Sequence, residues 1–188
     1  TILIRSINEH VVEHLIDSSV INLDATPIHA YLGLFNNVNI VDVNVQEHVE
    51  VHSVIDKKFA KTQLLKNEGY SELLAETCQA LFMKHDGNIG FLTSKMFADV
   101  LFDAGIPEEN VGWYGKDTRG SNRMQNVDAI VLAGPYIENM DSVTRDIEVL
   151  GKAGVEITVE DLQKQITSSE TIQAIARGRG VSRSEENP

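Results

Sequence analysis

The residues best suited to chemistry are three arginines near the end of the chain. Arg177, Arg179 and Arg183 follow a predicted long helix and have glycines and other small residues between them. Rigid guanidinium forks with little side-chain bulk between them are suited to binding phosphate groups. The same run is also typical of a cationic helix C-terminus, which the helix macrodipole stabilises, followed by a flexible tail. The arginines alone therefore leave phosphate binding and a structural role equally open.

Two earlier segments place polar residues where chain direction is expected to change. Residues 23–27 read Leu-Asp-Ala-Thr-Pro, in which Thr26 suits a helix N-cap and Pro27 the first helical position. Residues 119–123 read Arg-Gly-Ser-Asn-Arg and lead into an apolar run. In an open parallel sheet, function gathers in loops at the carboxyl ends of strands. Each segment is also what an ordinary junction or a solvated turn looks like, so neither alone predicts a site.

The spacing of apolar residues predicts the elements that would position these segments. Strands are predicted at residues 20–23, 38–43, 49–55, 89–92, 111–114 and 127–133. Helices are predicted at residues 2–16, 27–36, 71–84, 95–104, 142–150 and 158–176. Strands that alternate with helices through short turns predict an α/β fold with a mostly parallel sheet.

Composition narrows the possible classes of protein. The formal net charge of −12 argues against a basic surface that wraps nucleic acid, although five of the seven arginines lie at 119–123 and 177–183 and could form local positive patches. A single cysteine, Cys78, excludes an internal disulfide and a cysteine-based metal cluster. No stretch approaches the roughly 18 apolar residues of a membrane span, and no secretion signal is evident. We therefore expect a soluble, cytoplasmic protein without a membrane partner.

Taken in order, the three polar segments resemble the later motifs of superfamily 2 helicases, and the resemblance covers most of the chain. Asp24-Ala25-Thr26 is similar to the motif that ends the first RecA-like domain, usually Ser-Ala-Thr or Thr-Ala-Thr, with Asp24 replacing the first residue. Residues 90–94 lie where the opening strand of the second RecA-like domain belongs. Residues 119–128 resemble the motif that couples nucleic-acid backbone contacts to the nucleotide site.

The arginine-rich segment resembles the sixth motif of this family, commonly Gln-x-x-Gly-Arg-x-x-Arg. Gln173 and Arg177 match the motif, and Ala176 replaces its glycine, so that the second arginine must be Arg179 or Arg183. Similar Gln-Ala-Ile-Gly-Arg-x-Arg-Gly patterns occur in helicase-like proteins of phages, plasmids and archaeal viruses. The resemblance therefore points to viral or plasmid replication, and to the host cytoplasm for a viral protein.

The resemblance implies a domain organisation. It implies a three-layer, mostly parallel sheet with helices on both faces, which is the second RecA-like domain of a P-loop NTPase fold. This domain lacks a P-loop, because no Gly-x-x-x-x-Gly-Lys-Ser/Thr occurs in the chain. Residues 1–45 would end a first RecA-like domain, 46–70 would be a linker, 71–183 the second domain and 184–188 a disordered tail. The start at Thr1, directly on an amphipathic pattern, predicts a piece of a longer protein.

The resemblance also implies roles for individual residues. In this family ATP and Mg²⁺ are held by the first domain, and arginines of the second domain reach the γ-phosphate. Arg177 is the first candidate for this arginine finger and Arg179 the second. The other implied contacts are Gln173, Asp128 and Arg183 to the nucleotide, Thr93, Ser94, Arg119, Gly120, Ser121, Asn122 and Arg123 to nucleic acid, and Asp24 and Thr26 for interdomain coupling.

The expected function follows from these roles. The chain would be the C-terminal part of an ATP-dependent nucleic-acid helicase or translocase, acting on single-stranded or duplex DNA and pairing with the N-terminal RecA-like domain of the same protein. Alone it would neither hold nor hydrolyse ATP. An alternative is a catalytically silent NTPase-like module that binds nucleic acid or a protein.

A more remote alternative is a zinc hydrolase. Residues 10–14 match the His-x-x-Glu-His zinc pattern, with His10 and His14 one helical turn apart and Glu13 beside them. Short patterns of this kind arise by chance, and no helix carrying a further ligand is evident. We therefore expect no metal site.

Overall fold

The computed structural model describes residues 28–34, 38, 50–52, 66–118 and 121–178. In chain order its helices are α1 (His29–Leu32), α2 (Glu68–Lys84), α3 (Lys95–Asp103), α4 (Met140–Lys152) and α5 (Val159–Ile175), with short 3-10 helices at Glu108–Asn110 and Ala176–Gly178. None of the helices in these ranges is both long and apolar enough to cross a membrane. The elements predicted at 2–16, at 20–23 and at all but the first residue of 38–43 lie outside the described residues.

Three short parallel strands form one sheet. β1 (Ile89–Thr93) lies between β2 (Val111–Trp113) and β3 (Ala129–Ala133). β1 pairs with β3 along its whole length and with β2 over its last three residues. Every residue of β1 is buried, as is usual for a parallel strand that is covered on both faces. The predicted α/β class with a parallel sheet is thus confirmed for the described residues.

Helices α2 and α3 cover one face of this sheet. Their apolar side chains pack against odd-numbered residues of the strands, which point to the same side because successive side chains of a strand alternate. The buried residues of this core are Leu74, Ala75, Cys78, Ile89, Phe91, Phe97, Ala98, Leu101, Ile106, Val111 and Ala133. Burial of this apolar area is the main favourable contribution to folding here.

The opposite face is covered by the β2–β3 connection, residues 114–128, and by the end of α5. Leu92, Met124 and Ala174 are buried there. Met124 lies directly over Gly90, where an added Cβ would come within 2.9 Å of the Met124 sulfur. Gly90 therefore allows the connection to lie close against the sheet.

The chain divides into two compact units, and the division differs from the predicted boundaries. Unit 1 comprises Thr1–Val43 and Ile137–Ser169, and unit 2 comprises Asn44–Tyr136 and Glu170–Pro188. The predicted domain at 71–183 includes residues of both units.

Hydrogen bonds within unit 1 give the physical reason for this grouping. The backbone N–H of Ala30 donates to Gln165 Oε1 over 3.1 Å. The hydroxyl of Tyr31 donates to Asp146 Oδ2 over 2.9 Å. The short helix α1 is thereby tied to both α4 and α5, through contacts between residues more than a hundred positions apart that apolar spacing does not reveal.

Burial of Cys78 leads to a prediction about its reactivity. The side chain is fully buried in the core between α2 and the sheet, and this burial raises the pKa of the thiol to about 12. Because the thiolate is the reactive form, we expect the native protein at pH 8 to react with a disulfide reagent such as DTNB roughly 10³-fold more slowly than the urea-unfolded protein. Equal labelling rates in the two states would contradict the burial.

Candidate functional site

The β2–β3 connection is tied to the residues that follow α5 by an arginine. Arg177 lies half-buried in the 3-10 turn after the helix. Its Nε donates to the carbonyl oxygen of Thr118 over 3.0 Å, and its Nη1 donates to the carbonyl oxygen of Ser121 over 2.9 Å. The structure therefore brings the arginine-rich segment into direct contact with the predicted nucleic-acid segment.

A buried acidic residue holds the same threonine through its side chain. Thr118 is fully buried and Glu170 is 1% exposed. Thr118 Oγ1 donates to Glu170 Oε2 over 2.8 Å and accepts from the backbone N–H of Gly115 over 3.0 Å. Gly115 has a φ of +84°, which is in the left-handed region that favours glycine. Thr118 is thus fixed at its hydroxyl by Glu170 and at its carbonyl by Arg177.

Arg123 fastens the connection to the start of β2. Its Nη2 donates to the carbonyl oxygen of Glu108 over 2.5 Å and also to that of Val111. Its Nη1 lies 3.7 Å from Oδ1 of Asp117, a residue only 5% exposed. The other carboxylate oxygen of Asp117 accepts from the backbone N–H of Trp113 over 3.1 Å. The guanidinium predicted to contact nucleic acid is therefore engaged within the protein.

Gly112 is needed for Asp117 to reach this position. A Cβ added at residue 112 would lie 2.8 Å from the Asp117 Cβ and 3.0 Å from its Oδ2. These distances are shorter than van der Waals contact, and the carboxylate would have to move. The glycine in the middle of β2 thus makes room for a buried acid beside the strand.

The carboxyl ends of the three parallel strands lie at one edge of the sheet. Because β1 is the central strand, with β2 on one side and β3 on the other, this edge contains a topological switch point. Thr93 is fully buried there, and its Oγ1 donates to the carbonyl oxygen of Ala133 over 2.7 Å. Tyr114, after β2, donates its hydroxyl to the carbonyl oxygen of Gly134, after β3, over 2.8 Å. The rings of Tyr114 and Tyr136 lie 5.6 Å apart. Ligands often bind at such a switch point, but here the Tyr114 side chain bridges it.

The Tyr114 hydroxyl remains a hydrogen-bond donor at neutral pH. Burial raises its pKa, and the nearby carboxylate of Glu170 raises it further. The bridge from Tyr114 to Gly134 therefore persists across the physiological range.

The other described candidates do not all lie at this edge. Ser94 follows β1 and is half-buried, and its carbonyl accepts the first backbone hydrogen bonds of α3. Gln173 is half-buried on α5, one turn before Arg177. Asp128 is exposed and precedes β3, so it lies at the amino end of the strand, opposite Gly134. Asp128 thus lies at the end of β3 away from Thr93 and Gly134.

Several predicted residues lie outside the described ranges. They are Asp24, Thr26, Arg119, Gly120, Arg179, Arg183 and the zinc-pattern residues His10, Glu13 and His14. Within the described ranges, no group of three or more His, Cys, Asp or Glu side chains is arranged to hold a metal ion.

Sequence reasoning missed Glu170 as a site residue, although the sequence contained a signal for it. Leu162, Ile166, Glu170 and Ala174 are spaced by four along α5, and all four are buried. An acidic residue in a stripe of apolar side chains must find a hydrogen-bond partner, because an unpaired buried carboxylate is costly. The stripe therefore predicts a partner for Glu170, but not that the partner is Thr118.

Comparison of the chain with models of protein families, with curated proteins and with solved structures finds no match. The motif residues and the contacts among them are therefore the basis for any proposal about function. Three features are available to it: a guanidinium clamp from Arg177 on the β2–β3 connection, a buried Thr118–Glu170 pair under the same connection, and a second clamp from Arg123.

Proposed function

We propose that this chain is the C-terminal part of an ATP-dependent nucleic-acid helicase or translocase, chiefly its second RecA-like domain. The observation that carries the proposal is the pair of hydrogen bonds from Arg177 to Thr118 and Ser121. These bonds join two segments that resemble successive helicase motifs. The parallel sheet, with α2 and α3 on one face and the end of α5 together with the β2–β3 connection on the other, is compatible with the three-layer RecA-like arrangement.

In this proposal the chain contributes an arginine to a nucleotide that it does not itself hold. ATP and Mg²⁺ are the substrate and metal of an N-terminal RecA-like domain of the same protein. Arg177 uses Nε and Nη1 on the two carbonyls, while Nη2 has no hydrogen-bond partner among the described residues. A guanidinium already held on two sides loses little freedom when it meets a phosphate. Arg179 is the second candidate for the same role.

The nucleic-acid contacts of this proposal centre on the middle of the β2–β3 connection. Ser121 is half-buried and Asn122 exposed, and together with Arg119 and Gly120 they would bind backbone phosphates of a single DNA strand. Arg123 takes a supporting role, because its guanidinium is engaged with Asp117 and two carbonyls. Thr93 supports the sheet edge in the same way, since its hydroxyl is buried.

A second candidate function is a catalytically silent NTPase-like module that binds nucleic acid or a protein. It is favoured by a specific observation: Arg177 and Arg123 both donate to backbone carbonyls of their own chain. In such a module the arginines stabilise the fold and no nucleotide is involved. Both proposals place the protein in the cytoplasm, or in the host cytoplasm if it is viral.

Hydrolysis by the full-length protein distinguishes the two functions. We expect ATP hydrolysis in the presence of Mg²⁺ to rise when single-stranded DNA is added, and the 188-residue chain alone to hydrolyse none. DNA binding without hydrolysis would support the silent module instead. Absence of both activities, together with stoichiometric zinc in the purified protein, would support the zinc hydrolase.

A further inference from the structure

We infer that Glu170 and Thr118 form a positioning pair, in which the buried carboxylate holds the β2–β3 connection in the conformation that receives the phosphates of a DNA strand. The inference rests on the proposed function and adds to it a residue outside the helicase-like motifs. The observations that carry it are the 2.8 Å bond from Thr118 Oγ1 to Glu170 Oε2 and the near-complete burial of both residues.

Burial of the Glu170 carboxylate has a cost in free energy. Glu170 occupies a position in the buried stripe of α5 where an apolar side chain would pack without loss of hydration. A carboxylate there is tolerated only when its oxygens are hydrogen-bonded. Replacing a buried ion by an apolar group is often neutral for stability, so overall stability alone does not account for Glu170. What the carboxylate supplies instead is a fixed location for the Thr118 hydroxyl.

Several hydrogen bonds restrain the chain around Thr118. The hydroxyl of Thr118 is held by Glu170 and Gly115, its carbonyl by Arg177, and the carbonyl of Ser121 by Arg177 again. Restraints that are already present in the free protein reduce the entropy lost on binding, which raises affinity without any new contact.

The two residues that hold Thr118 also leave the helical segment on one face. Glu170 and Arg177 are seven residues apart, which is about two helical turns, so their side chains leave the same face of the helical segment. Both reach Thr118, one at its side chain and the other at its backbone. Loss of the Glu170 bond would leave the Thr118 carbonyl still held by Arg177.

The test uses a nearly isosteric pair of variants in the full-length protein. Thr118→Val keeps the shape but removes the hydroxyl, whereas Thr118→Ser keeps the hydroxyl. We expect Thr118→Val to weaken binding of a labelled single-stranded DNA, measured by fluorescence anisotropy, by roughly five- to tenfold, because the hydroxyl's hydrogen bonds to Glu170 and from Gly115 are both lost. Thr118→Ser should bind within about twofold of the natural protein, since it retains both bonds.

Two further readouts separate positioning from general destabilisation. The slope of log affinity against log salt should stay unchanged in Thr118→Val, because the number of phosphate contacts is the same. Hydrogen exchange at the Gly115 amide should accelerate in Thr118→Val but not in Thr118→Ser. Thr77→Val is the matched control, since Thr77 is exposed on α2 and bonds only locally, to the Leu73 carbonyl.

The outcomes distinguish failure of this inference from failure of the proposed function. Thr118→Val with faster exchange but natural DNA affinity would overturn the positioning role and leave the helicase proposal standing. No DNA binding by the natural protein would overturn both. If Thr118→Val does not fold, Glu170→Gln decides, because its amide oxygen still accepts from Thr118. Near-natural affinity in Glu170→Gln supports positioning by the hydrogen bond, and a tenfold loss would overturn it.

Discussion

Replacing Arg177 with alanine is expected to reduce DNA-stimulated ATP hydrolysis by the full-length protein about 10³-fold. Its guanidinium is assigned to the γ-phosphate and also holds the carbonyls of Thr118 and Ser121. Both functions are lost in the variant. Loss of the two hydrogen bonds should lower the free energy of unfolding by about 1–3 kcal/mol, so the protein remains folded while hydrolysis fails.

Two further substitutions define what Arg177 contributes. Arg177→Lys keeps the charge but lacks the planar fork, so we expect it to recover little activity. Arg145→Ala is the matched control, because Arg145 is exposed on α4 and its loss changes the net charge equally. Natural hydrolysis in Arg177→Ala combined with loss of hydrolysis in Arg179→Ala would assign the finger to Arg179 and leave Arg177 as a structural clamp.

Replacing Arg123 with methionine is expected to lower the free energy of unfolding by about 2–3 kcal/mol. The substitution leaves the carboxylate of Asp117 buried without its counter-charge, and it removes the donor to the carbonyls of Glu108 and Val111. The expected loss is smaller than for a fully buried pair, because 29% of the Arg123 side chain is exposed. Urea unfolding followed by circular dichroism measures the change.

A double-mutant cycle tests whether Asp117 is the reason for this loss. Arg123→Met should cost less in a background that already carries Asp117→Asn, because no unpaired charge then remains. Arg145→Met is the control for a methionine at an exposed arginine site. A loss below about 0.5 kcal/mol in Arg123→Met would instead assign the contact to the class of weak surface pairs.

Local sequence signals predicted the central elements of unit 2 closely. The apolar run at 89–92 was predicted as a strand, and β1 spans Ile89–Thr93. The helix predicted at 95–104 is observed at Lys95–Asp103, ahead of Gly105, which has a φ of +85°. Such boundaries are set by neighbouring residues, so a pattern of a few positions contains the information that determines them.

Boundaries that depend on tertiary contacts were predicted less well. β3 begins at Ala129 and not at Val127. Val127 packs against the cluster of Leu92, Met124 and Ala174, and the N–H of Asp128 donates to the carbonyl oxygen of Asn88, just before β1. The apolar pattern therefore extends beyond the ladder. Helix α2 begins at Glu68, inside the predicted linker 46–70 and three residues before its predicted start at Ser71.

The site shows the same division between local and long-range information. The ordered motifs indicated that the segments containing Arg177 and Ser121 belong together. Thr118 and Glu170 were missed, because their contact depends on how the end of α5 packs against the sheet through Ala174. Asp117 was missed because its role depends on its contacts with Arg123 and with the backbone of Trp113. Thr118 and Glu170 are 52 residues apart in sequence, and only that packing determines that they meet.

The only tryptophan of the chain, Trp113, lies at the end of β2 with the Lys116 ammonium 4.2 Å from the centre of its ring. All tryptophan fluorescence of the chain therefore comes from the residue immediately before Tyr114, whose hydroxyl donates to Gly134. A strand of DNA that draws the ammonium toward a phosphate would change the polarity around the indole. The intrinsic fluorescence of Trp113 is thus an optical reporter of this loop in the 188-residue chain, and a change on adding DNA would test the proposed binding without an attached dye.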